Sequence, residues 1–223
     1  METIRRQNNL KKRAIIDDAC HNRPGALVLD VGCGFGGDLQ KWSSHDVRVD
    51  MCEPDLSALK EAKRRASSLG IHVKFIHGDV RQCPHKLYDI ICYNFSIHYI
   101  FENKDIFTQS IKSIRQHLKK GGILIGCIPD CSSILMNTPF NDELGNIIVR
   151  KSNTGFGEFG EKIFVRLADT PFYAKGPRPE PLAYKDMLVT HLENKGILLE
   201  KWERFDGLPI QQLYSSFRFA CRG

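Results

Sequence analysis

No stretch of this 223-residue sequence approaches the ~20 consecutive apolar residues that a bilayer-spanning helix needs. The opening METIRRQNN likewise lacks the apolar core of a secretory signal peptide. No CxxC pair occurs among the eight cysteines, and Cys127 and Cys131 have no second pair at zinc-ligand spacing beside them. Their absence argues against a zinc site and a disulfide framework. The expectation is no metal, no disulfide, and reduced thiols acting as small hydrophobes in an intracellular, reducing compartment. Repeats, low-complexity tracts and linkers are also missing, so a solenoid or a disordered chain is excluded.

What is present is ordinary for a globular protein: 42% hydrophobic and 26% charged residues, enough chain to bury a real core as one domain. The formal net charge of +6 is compatible with an anionic partner such as RNA and proves nothing alone. The informative stretch is Leu27 to Lys41, LVLDVGCGFGGDLQK. Ala26 to Val31 is an apolar run broken only by Asp30, as expected of a strand buried on both faces of a parallel sheet. Gly32, Gly34 and the Gly36-Gly37 pair follow, and Asp38 to Ser44 reads as a short helix. Glycine at a strand-to-helix turn lets a ligand lie against bare backbone. Dinucleotide-binding and methyl-donor folds both use such a turn, so the glycines alone do not choose between them.

The form DVGCGFGG, with an acid two residues before the first glycine, resembles motif I of S-adenosylmethionine-dependent methyltransferases. The longer VLDVGCGFGGDLQKW is similar to the corresponding segment of mRNA cap guanine-N7 methyltransferases, typically VLDLGCGKGGDLLKW. Phe35 stands where that family usually has lysine. The resemblance implies an α/β, Rossmann-like class I methyltransferase: a mainly parallel seven-stranded sheet with helices on both faces, an antiparallel C-terminal strand and an inserted cap-pocket segment. It implies S-adenosylmethionine as cofactor and the GpppN 5′ end of RNA as partner. Guanylyltransferase and triphosphatase domains or subunits are further partners, and no membrane is involved. The compact chain suits the methyltransferase part of a viral capping enzyme, acting in the cytoplasm; a nuclear site stays open.

The rest of the chain continues the pattern in order. Residues 1–25 carry a basic helix in which Ile4, Leu10, Ile15 and Ile16 share part of one face. Asn8-Asn9-Leu10-Lys11-Lys12 stands where the family has an NNWMK-like sequence. By that resemblance Asn8 and Asn9 serve the cap and Lys12 reaches the donor's carboxylate, while Lys41 at the end of motif I serves the acceptor side. The second strand, Val47 to Cys52, ends at Glu53, an acid about twenty residues past the glycine turn and so placed for ribose hydroxyls. Asp55 caps a helix to about Leu69 whose Lys60, Lys63, Arg64 and Arg65 form a basic stripe; family members use a position near Arg64 toward cap phosphates. Val73 to His77 is the third strand, and Asp79 just beyond it is placed for the adenine amino group. The fourth strand, Leu87 to Tyr93, leads into NFSIHYIF, which resembles the family's QFxxHYxF. That match assigns Asn94 and Tyr99 to the donor and Phe95 and His98 to the guanine.

Ile106 to Leu118 reads as a helix closed by Lys119-Lys120-Gly121-Gly122 as a basic C-cap, with Ile123 to Ile128 as the fifth strand. Residues 129–182 do not fit a plain five-strand nucleotide fold and read as an insertion with short strands at Ile147–Arg150 and Ile163–Leu167. Glu180, between Pro179 and Pro181, falls where the family's PE glutamate meets guanine N1–H and the 2-amino group. Tyr184 to Lys195 is a helix, Ile197 to Phe205 a strand, and Tyr214 to Cys221 the antiparallel edge strand; Tyr214 resembles the family's cap-contacting tyrosine. The division is 1–25 (N-terminal helix), 26–128 (donor half), 129–182 (acceptor insertion) and 183–223 (C-terminal helix and strands). Guanine N7 carries a free lone pair, so no acid, base or nucleophile is expected; His98, Tyr99 and Glu180 position the acceptor. Two rivals stand beside this reading: a methyltransferase for a small molecule or another RNA site, and a non-catalytic subunit that keeps the fold to bind RNA or a partner.

Overall fold

A computed structural model of the chain describes residues 4–150, 159–168 and 173–222. It opens with helix α1 (Ile4–Cys20), then β1 (Ala26–Val31), a one-turn helix α2 (Leu39–Trp42), β2 (Val47–Glu53), α3 (Leu56–Ser68), β3 (Lys74–His77) and β4 (Tyr88–Asn94). A 3-10 turn at Ile97–Glu102 leads to α4 (Lys104–His117), which passes directly into β5 (Leu118–Pro129). Next come α5 (Cys131–Asn137) and four short strands, β6 (Phe140–Asp142), β7 (Gly145–Arg150), β8 (Lys162–Leu167) and β9 (Arg178–Pro181). Helix α6 (Lys185–Glu193), β10 (Ile197–Arg204) and β11 (Tyr214–Cys221) finish the chain.

The main sheet has seven strands in the order β10-β11-β5-β4-β1-β2-β3. β1 to β5 run parallel, and β11 lies antiparallel between β5 and β10. Because successive side chains alternate across a strand, the apolar runs feed two cores. Val28, Ile90 and Cys92 pack under Ile16, Ala19, Leu39 and Trp42 of α1 and α2, while Leu29, Ile91 and Tyr93 pack under Phe107, Ile111 and Leu188 of α4 and α6. The chain order reverses between β1 and β4, and ligands of open α/β sheets bind outside the carboxyl ends of the strands at that point. Gly32 and Asn94 sit at those two ends.

Three expectations need correction. Leu10 is 52% exposed, because the buried stripe of α1 is Ile4, Ile16, Ala19 and Cys20. Lys119 to Gly122 is no helix cap. It is a bulge in β5: Tyr88 pairs with Leu118 and Ile90 with Ile123, leaving three extra residues on β5, and Lys119 Nζ lies 2.8 Å from both Asp89 carboxylate oxygens. The 129–182 segment is more ordered than two short strands: α5 precedes a second, four-stranded antiparallel sheet, β6-β7-β8-β9. Glu180 is thus a strand residue facing Ile163 of β8, and only 3% exposed. A third core joins this sheet (Ile147, Ile163, Val165) to Ile4, Ile134 and Tyr214.

Candidate active site

The turn after β1 puts Gly32, Gly34 and Gly36 at φ of +73°, +52° and +74°, a region closed to most side chains. Gly32 also faces Ser96 so closely that an added Cβ would lie 2.5 Å from its Cβ. At Gly34 the space is open, with nothing within 4 Å of such a Cβ. This is bare backbone beside room for a ligand. Glu53 supports the turn from β2: its Oε2 accepts from the Gly34 N–H at 2.8 Å and its Oε1 from the Asp55 N–H at 2.9 Å. Each carboxylate oxygen keeps a second acceptor position, which a ribose hydroxyl would fit. Burial raises the Glu53 carboxyl above its ordinary value. Asp79 is occupied differently from expectation, because Arg81 donates to both its oxygens, with Nη2 at 2.6 Å.

Asp38, just past the glycines, is the centre of a buried charge cluster. Its Oδ1 lies 2.8 Å from Lys12 Nζ and 2.7 Å from Lys41 Nζ, and its Oδ2 accepts from Asn94 Nδ2 at 3.0 Å. Although burial works against it, the two lysines hold the Asp38 carboxyl down at about 2. Asp30 is also buried and accepts from Trp42 Nε1 at 2.9 Å. Burial, with the Asp38 charge beside it, pushes its carboxyl up to about 7. Lys12 stays charged, because Asp38 and Asp30 outweigh its burial and raise it. A Cβ added at Gly37 would lie 3.7 Å from Lys12 Nζ. Lys41 donates to Asn9 Oδ1 at 2.8 Å and to Gly37 O at 2.9 Å, which ties both residues to the turn. Asn8 accepts from the buried Gln211 at 3.2 Å.

The second cluster surrounds Glu180. His98 Nε2 lies 3.2 Å from Glu180 Oε2, yet neither ring nitrogen has an aligned hydrogen-bond partner among the described residues. Tyr173 donates to Glu180 Oε1 at 2.5 Å. The Tyr99 ring lies 4.3 Å from that of His98 and is 41% exposed. Phe95, held at φ +60°, meets Tyr214 edge-on at 5.5 Å. The Tyr214 hydroxyl is buried without a partner among the described residues, and burial plus the charge of Glu180 push its phenol upward. Three buried polar atoms without aligned partners beside a carboxylate are unusual in a folded interior and mark a place where a polar ligand can bind.

The sequence-expected residues therefore gather in two groups, Lys12, Asp30, Gly32, Gly34, Lys41, Glu53 and Asn94 around the glycine turn and Asp38, and Phe95, His98, Tyr99, Glu180 and Tyr214 around the Glu180 carboxylate. Lys41, expected with the acceptor residues, lies with the first group, and Tyr99, matched to the donor by the motif, with the second. Arg64 joins neither; it is exposed on α3 and paired with Glu61 at 2.8 Å. Sequence reasoning missed Asp38, although it lies inside the quoted motif, and Tyr173, which no motif flags. It also missed Arg178, an exposed cation on β9 that acts electrostatically on Asp55 and Tyr99. Among the described residues no group of three or more His, Cys, Asp and Glu could hold a metal ion, and no helix is long and apolar enough to cross a membrane.

A family described as "Methyltransferase domain" matches residues 28–122. The chain is 31% identical over 155 residues to the mRNA cap guanine-N(7) methyltransferase of Cryptococcus neoformans var. neoformans serotype D, covering 63% of this chain and 22% of that protein. It is 30% identical over 146 residues to the protein of that name from Saccharomyces cerevisiae, covering 59% of this chain and 33% of the relative. The match thus spans a third or less of those relatives' own length. Among solved structures, an S-adenosylmethionine-dependent methyltransferase from Clostridium acetobutylicum superposes with a TM-score of 0.66 at 13% identity, over 100% of this chain and 93% of the other. The N-methyltransferase NodS from Bradyrhizobium japonicum, in complex with S-adenosyl-L-homocysteine, gives 0.65 at 13% identity, over 100% and 90%. The chain has the fold of S-adenosylmethionine-dependent methyltransferases, and in sequence it resembles the mRNA cap guanine-N7 methyltransferases.

Proposed function

We propose that the chain transfers the methyl group of S-adenosylmethionine to N7 of the guanine in a GpppN RNA cap. The observation that carries this reading is the buried Glu180 carboxylate with His98, Tyr99 and Tyr214 around it. A carboxylate accepts from guanine N1–H and the 2-amino group together; adenine offers no such pair. Held by that edge, the base turns its opposite side, N7, away from Glu180. The donor supplies an electrophilic methyl on a sulfonium sulfur. Glu53 would hold its ribose, the open backbone at Gly34 its chain, and Lys12 its carboxylate, a charge that now meets Asp38. N7 needs no deprotonation, so these side chains orient the base and shield it from water. Orientation of this kind contributes roughly 7–11 kcal/mol in well-aligned systems. A methyltransferase for another acceptor remains the alternative; it predicts indifference to Glu180.

The test is calorimetric titration with GpppA. Losing two hydrogen bonds to a charged group costs about 1.5–3 kcal/mol each. Glu180→Ala therefore weakens GpppA binding by about two orders of magnitude or more and leaves S-adenosylhomocysteine binding unchanged. Equal affinity of both proteins for GpppA contradicts the proposal.

A further inference from the structure

Glu180 has one neighbour that neither the motif nor the reaction requires. Tyr173 lies on the turn before β9 and donates its hydroxyl to Glu180 Oε1 at 2.5 Å. We infer that Tyr173 is a positioning residue that fixes the Glu180 carboxylate and thereby sets selectivity for a purine with both an N1–H and a 2-amino donor. The inference rests on the acceptor reading above.

The terminal torsion of glutamate is broad, so burial alone does not fix the plane of its carboxylate. Reading two donors in the plane of one base requires that plane to be fixed. His98 is near Oε2 at 3.2 Å but lacks the alignment of a hydrogen bond, so it does not supply the constraint. The Tyr173 hydroxyl does, as a short bond to one oxygen. It also leaves the site competent, since an oxygen with one donor bound still accepts a second. The other phenols play different parts. Tyr214 stacks edge-on with Phe95 and Tyr99 packs on His98, so each is placed to meet the base itself. Burial and the Glu180 charge both push the Tyr173 phenol upward, so it remains a donor at all working pH values.

Tyr173→Phe keeps the ring and removes only the donor. Steady-state kinetics with guanosine-capped and inosine-capped RNA separate the cases, because inosine lacks the 2-amino group and already forgoes one contact. The variant raises KM for guanosine-capped RNA about tenfold, as loss of one hydrogen-bond restraint on a charged group predicts. Its kcat stays within about twofold and its KM for the methyl donor is unchanged, since the bond touches neither sulfur nor N7. The preference for guanosine over inosine, as a ratio of kcat/KM, falls about threefold or more. An unchanged KM, or equal rises for the two caps, overturns the inference while wild-type transfer stands. Absence of transfer by the wild-type chain refutes the acceptor reading and this inference with it. Unaltered S-adenosylhomocysteine affinity of Tyr173→Phe verifies its fold. Were that affinity lost, Tyr173→His, which restores a ring donor, supports the inference if guanosine preference returns and overturns it if preference stays low.

Discussion

Two glycines separated by a single residue should fail in opposite ways when given the same methyl group. Both Gly32 and Gly34 lie in the left-handed region, at φ +73° and +52°, where an L-residue costs about 1–2 kcal/mol. Only Gly32 is also crowded: its new Cβ would lie 2.5 Å from Ser96 Cβ and 2.9 Å from Ser96 Oγ. Carbon atoms prefer about 3.5–4.0 Å, so Ser96 must move. Its 2.6 Å bond to the Val31 carbonyl would break, costing a further ~1 kcal/mol, on top of about 1–3 kcal/mol for overpacking. Gly32→Ala should therefore lose about 3–6 kcal/mol of stability. Gly34→Ala meets nothing and should lose only the conformational cost, about 1–2 kcal/mol, yet its methyl group projects into the space where the donor would lie. Urea unfolding measures the first quantity and calorimetric titration with S-adenosylhomocysteine the second. Ser96→Gly should restore part of the stability of Gly32→Ala, because it removes the Cβ in the way. Wild-type donor affinity in Gly34→Ala would refute the assignment of this turn as the donor cradle.

The buried acids give two predictions with opposite pH signatures. Asp30 sits at about 7 in the folded chain, so the folded state holds a proton that the unfolded state releases near 3.9; stability therefore falls as pH rises from about 4 to 7. Asp30→Asn, which can still accept from Trp42, should gain in stability relative to wild type as pH goes from 5 to 8, by about 3 kcal/mol in urea unfolding; a constant difference across that range refutes this. Asp38 at about 2 behaves in reverse: its contribution is complete above about 3.9 and lost as pH falls toward 2. Asp38→Asn leaves Lys12 and Lys41 facing each other without their carboxylate. It should cost about 3–5 kcal/mol at pH 7 and progressively less below pH 4, read by denaturant titration at each pH.

The parallel part of the main sheet, β1 to β3 with its turns, was legible in the sequence because its signals are local. A six-residue apolar run bounded β1 as Ala26–Val31, and the acid at the end of β2 and the Asp55 cap of α3 fell where pattern and capping chemistry put them. Lys119 to Gly122 misled because basic residues followed by glycine are a common helix ending. Pairing with β4 through Ile123 instead drew the segment into the sheet as a bulge. The second sheet was only half legible. β6 and β9 are three and four residues long and carry Asn, Asp and Pro, so pairing with β7 and β8, not intrinsic preference, makes them strands. Tyr173 had no sequence signal at all, since its role exists only once the turn before β9 returns it to Glu180.

The central claim, that the Glu180 cluster takes a cap guanine and the Gly34 turn takes the methyl donor, has one direct measurement. Incubation with methyl-labelled S-adenosylmethionine and either GpppA-capped or uncapped RNA, followed by nuclease digestion, reads the acceptor atom. Label should appear as 7-methylguanosine from capped RNA alone and vanish in Glu180→Ala. Donor binding without cap methylation, or label recovered from uncapped RNA, would contradict it.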